Sequence, residues 1–64
     1  MKAAALYYQG RARAERIRTE AFMLAASETS SPTHRRIFLD QATSTQRISR
    51  RLYRTARIEA GVMP

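Results

Sequence analysis

The sequence has no cysteine and no tryptophan, a single histidine, two glycines and two prolines among its 64 residues. Without cysteine there is no disulfide framework, and with only His34 there is no Cys/His cluster at metal-ligand spacing. A chain this short buries too little surface to be comfortably stable alone, and the two usual covalent or metallic staples are both missing. Pairing with another copy, or docking on a partner, is the remaining source of stability. The lack of cysteine also removes the mark of small secreted domains, so a reducing, cytoplasmic setting is expected. No apolar run approaches the ~20 residues that span a bilayer, and Ala3–Leu6 after Met1 and Lys2 is too short for a signal-peptide core.

Catalytic inventory is equally thin. His34 stands beside Arg35 and Arg36 at the start of a predicted helix, where the helix dipole and both cations disfavour a charged imidazole, and no carboxylate pair shares its face. The expectation is a non-enzymatic protein that needs no metal or cofactor.

What the chain does have is positive charge. Twelve Lys and Arg against five acids give a formal charge of +7, and eleven of the twelve cations are arginine. Arginine and alanine are both favoured by GC-rich codon usage, while the planar guanidinium is also the better fork for phosphates and carboxylates. Charge of this density favours anionic partners: an acidic protein, nucleic acid or a membrane surface.

Strong helix formers without proline predict helix 1 over about residues 2–28. The only clear break is Ser27–Thr33, where Ser31 before Pro32 reads as an N-cap followed by proline at the first helical position. Helix 2 is predicted over about 32–60, with a turn at about 29–31 and Gly61 as the stop. So short a connection makes the helices antiparallel neighbours, an all-α hairpin in one domain, expected to pair into a four-helix bundle. The Ala42–Thr45 stretch is weak by propensity and is the expected point of bending or fraying.

Steps of three and four place the hairpin seam on Leu6, Gly10, Ala14, Ile17 and Leu24 of helix 1, facing Ile37, Ile48 and Leu52 of helix 2. Gly10, costly in a helix interior, suggests a close backbone approach there. Tyr8, Phe22 and Met23 fall on another side of helix 1 and are the predicted surface for self-association or for a partner's groove.

The most specific motif is Arg47, Arg50, Arg51, Arg54 and Arg57, joined by Arg36 on the same helical arc of roughly 120° at 100° per residue. No acid precedes any of the series by three or four residues, whereas Arg11, Arg16 and Arg18 of helix 1 have Glu15 or Glu20 within reach. These six arginines are the predicted acidic-partner site. Size and two-helix layout resemble the plasmid RNA-binding bundle proteins in architecture, with no shared motif. By analogy with small proteins of phages and mobile elements, the expected role is a modulator or inhibitor, a homodimer that binds an acidic surface of a host protein or complex. The alternatives are backbone-directed RNA or DNA binding, without a base-reading motif, and a structural subunit of a larger assembly.

Overall fold

The computed structural model describes residues 2–61, which form two helices, α1 (Ala3–Glu28) and α2 (Pro32–Glu59), packed along their length as a hairpin. The predicted turn and helix ends agree with this to within a residue or two. Ser31 caps α2, its hydroxyl accepting from the His34 N–H at 3.3 Å, with Pro32 in the first turn where an N–H would have no helical partner. Gly61 adopts φ +77°, the left-handed conformation in which a side chain would be strained, and ends the helix. Val62 and Met63, which the sequence suggests could fold back after this stop, lie with Pro64 outside the described residues.

The tight connection is held by one side chain absent from the sequence reading. Arg35 donates from Nε to the Ala26 carbonyl at 3.4 Å and from its terminal nitrogen to the Thr29 carbonyl at 3.0 Å. A cation placed on the last carbonyls of α1 satisfies acceptors that lack helical donors and complements the negative end of the dipole. Thr29 adds its own hydroxyl as acceptor for the Ser31 N–H.

The seam differs from the predicted one. The buried residues of α1 are Ala5, Ala12, Glu15, Thr19 and Ala26, and those of α2 are Ala42, Thr45, Ser49 and Ala56. Half-buried Tyr8, Phe22, Phe38 and Leu52 complete two strict heptad repeats, 5-8-12-15-19-22-26 and 38-42-45-49-52-56. Alanine, serine or threonine recurs every seventh residue on both helices, so the backbones meet across small side chains. Leu6, Gly10, Ala14, Ile17 and Leu24, assigned to the seam from their bulk and spacing, are all exposed, as are Ile37 and Ile48; Leu52 alone of that set lies in the seam. A Cβ built on Gly10 meets nothing within 4 Å, so no close approach inside the hairpin explains that glycine.

Hydroxyls fix the register. The Thr19 and Thr45 Oγ1 atoms lie 2.6 Å apart across the seam, and each is also within hydrogen-bond distance of a carbonyl of its own helix, Glu15 for Thr19 and Gln41 or Ala42 for Thr45. One hydroxyl donates to its own helix while accepting from the other. One turn away, Ser49 donates to the Ala12 carbonyl at 2.9 Å. Buried polar groups paired in this way leave no orphan, and none is found among the described residues. The same cross-helix bonds explain why the Ala42–Thr45 stretch stays helical where propensity alone predicted fraying: its back-bonding threonine is engaged by α1.

Two stability predictions follow from the small seam and its cap. Ala12 is fully buried, so Ala12→Leu forces the helices apart and lowers stability by about 1–3 kcal/mol, as overpacking does. Ser31→Ala removes the cap and costs about 1 kcal/mol. Both are read by thermal and urea denaturation followed by circular dichroism.

Candidate functional site

With small residues turned inward, the hairpin's outward faces carry its larger chemistry. On α2, Arg36, Arg47 and Arg54 are exposed on the side turned away from α1 and Arg50 and Arg57 on its flank, the centre of the five lying roughly 140° round the helix from the seam at 100° per residue. Arg51 stands at the edge of this arc nearer Ile37 and Ile58. The six arginines are exposed along one side of α2.

No carboxylate neutralises them. Among the described residues the one ion pair is Arg18 to Glu15 at 3.4 Å, on α1. Among the described residues Arg36 and Asp40, one turn apart, form no ion pair, nor do Arg11 with Glu15 or Arg16 with Glu20. Glu15 is turned into the seam, where Arg18 reaches it. Arg11 instead donates to the Tyr7 hydroxyl at 3.3 Å, an acceptor that holds its guanidinium pKa above the ordinary arginine value. Asp40 is exposed and stands in line with the arc between Arg36 and Arg47.

Where the two helices meet on the arginine side, Arg16, Glu20, Gln46, Arg50 and Tyr53 line a shallow cleft floored by Thr19 and Ser49. A wider, more open depression at the start of α2 is lined by Pro32, Thr33, Arg36, Ile37 and Asp40. Neither encloses a nucleophile held against a base. No group of three metal-ligating side chains exists among the described residues, and no described helix is long and apolar enough to cross a membrane.

No protein-family model, curated protein or solved structure matches the chain. The reading of its surface rests on its own residues.

The outer face of α1 is the opposite in character. Ala3, Tyr7, Gly10, Ala14, Ile17, Ala21 and Leu24 form a second heptad stripe, all exposed and none charged, roughly 160° round the helix from the seam. Because α1 is apolar on two sides it is scarcely amphipathic, whereas α2 is strongly so. Tyr8 and Phe22, predicted on an outward association surface, are half-buried in the seam, and Met23 is exposed to one side of it. The signal that separates the two stripes is the alanine at 5, 12 and 26, in step with Ala42, Ser49 and Ala56 on the other helix.

An arc of unneutralised like charge opposes folding. Neighbours at i+3 and i+4, such as Arg47–Arg50, Arg47–Arg51 and Arg50–Arg54, each destabilise a helix by ~0.2–0.5 kcal/mol in low salt. The melting temperature is expected to rise with added salt, and Arg47→Gln with Arg54→Gln is expected to raise it at low salt while flattening the salt dependence, as read by scanning calorimetry.

Proposed function

We propose that this chain is a non-catalytic binding hairpin that grips an acidic protein surface through the arginine arc of α2, working as a pair of hairpins that presents two such arcs. The observation that carries this reading is the arc itself: five arginines exposed on one side of α2 with no carboxylate among the described residues bonded to any of them. Like charges held together in this way raise the free energy of the unbound protein, and an anionic partner relieves it. Arginine is also the cation best suited to an interface, since its planar fork bonds carboxylates bidentately and is weakly hydrated.

Two carboxylates favour protein over nucleic acid as the ligand. Asp40 stands within the line of the arc and Glu20 beside Arg16 and Arg50 in the cleft. Against a uniform row of phosphates both would be repelled, whereas a protein surface of mixed charge accommodates them.

The test is capture from a nuclease-treated bacterial lysate by the wild-type chain and by the triple variant Arg50→Ala, Arg54→Ala, Arg57→Ala. Wild type is expected to retain an acidic protein that the triple variant loses, with affinity for the purified partner lowered at least about tenfold, ~1.4 kcal/mol. Equal retention by the two proteins sinks the arc as the binding face. Binding abolished by nuclease, and falling steeply with salt on a single-stranded RNA probe, assigns the arc to nucleic acid instead.

A further inference from the structure

From the shape and surface of the hairpin we infer that the exposed heptad stripe on α1 is the contact by which two copies of this chain pair, antiparallel, as a layer of four helices in the order α2–α1–α1–α2. This rests on the pairing proposed above and names its face, moving it from Tyr8, Phe22 and Met23 to Tyr7, Gly10, Ala14, Ile17, Ala21 and Leu24.

The exposed area is that of a subunit. The chain leaves 4979 Å² accessible at a mass of 7.3 kDa, where a globular monomer of that mass exposes about 4,200 Å². The difference of roughly 800 Å² is what each partner of a standard-sized protein interface buries. The hairpin is correspondingly drawn out, with extents of 45 × 17 × 11 Å and a radius of gyration of 14.4 Å, against about 11 Å for a compact chain of this length.

A second copy is the occupant that the stripe itself describes. Two-fold pairing needs a self-complementary surface, in which whatever lies ahead of the axis on one copy meets what lies behind it on the other. An antiparallel axis at Ala14 sets Tyr7 over Ala21 of the second copy and Ile17 within one residue of Gly10 of the second copy. Large residues then meet small ones on both sides of the axis. Gly10, which nothing in the hairpin approaches, gains a reason in this arrangement, because the other copy's Ile17 sits within one residue of it.

Charge points to the same face. Two chains of net charge +7 attract only if their cations are kept apart. Pairing through the outer side of α1 places the arginine arcs on the two far edges, separated by three helix-to-helix spacings of about 8–10 Å each. That is several times the screening length of about 8 Å at physiological salt. Pairing through α2 would press the arcs together.

Sedimentation equilibrium across a concentration series tests this on the whole chain. Wild type and Met23→Lys are expected to be dimers, and Ile17→Glu a monomer whose far-ultraviolet helix signal is unchanged, since Ile17 is exposed. As a check that does not depend on Ile17→Glu folding, Ala14→Cys is expected to give a covalent dimer with a short bismaleimide, and Asp40→Cys on the outer edge of α2 to give little. A monomeric wild type overturns the pairing and its face together. A folded Ile17→Glu that remains dimeric, a monomeric Met23→Lys, or linking at Asp40→Cys but not at Ala14→Cys, overturns the face alone. Retention of an acidic partner by monomeric Ile17→Glu would leave the arginine-arc reading intact whichever way the pairing falls.

Discussion

The contact on which this structure depends is the meeting of two helix backbones across alanine, serine and threonine. Small side chains let helices approach closely, so that dispersion between backbones and short cross-helix hydrogen bonds replace the burial of large aliphatic groups. Ser49 reaching the Ala12 carbonyl and Thr19 meeting Thr45 are available only at that separation. The register is thus set by polar groups, and misalignment would leave the buried Ser49 hydroxyl unsatisfied and part the two threonines.

Turning the small residues inward has a consequence for the rest of the surface. A hairpin with alanines at its centre keeps its leucines and isoleucines, Leu52 excepted, outside. Among the described residues nine large hydrophobic ones, from Ile48 at 41 % to Leu24 at 59 %, remain exposed. Scattered exposed aliphatics are ordinary on a protein surface. Here seven uncharged positions fall in step along one helix, facing away from the only element that α1 packs against. On the far side of the molecule α2 does the reverse, concentrating arginine. The hairpin therefore separates an apolar edge from a cationic edge across the width of two helices, and each edge is free to meet a different partner.

Much of the fold was legible in the residues. Ser31–Pro32 announced the start of α2, Gly61 its end, and the composition of residues 2–28 the uninterrupted α1. The arginine arc was legible too, because on a helix the angular position of a side chain follows from its number alone. The face of α1 was not. Two stripes with heptad spacing run along that helix, and the rule that larger apolar residues go inside selects Leu6, Ile17 and Leu24. That rule concerns area removed from water. It does not register how close two backbones can come, nor that Ser49 reaches the Ala12 carbonyl and Thr19 meets Thr45 only when the other stripe is turned inward. Arg35 was missed for a related reason, since a cation nine residues after Ala26 has no helical relation to it until the turn folds back.

What the sequence determined by itself is everything carried by local chemistry: two helices, their caps, the tight turn between them, and the angular grouping of the arginines. Tertiary structure decided which side of α1 is inside, and with it which residues are outside. Periodicity defines faces but not their partners, and the choice between two eligible faces is made by packing distance and by hydroxyl pairing across the seam, both of which exist only once the helices are side by side.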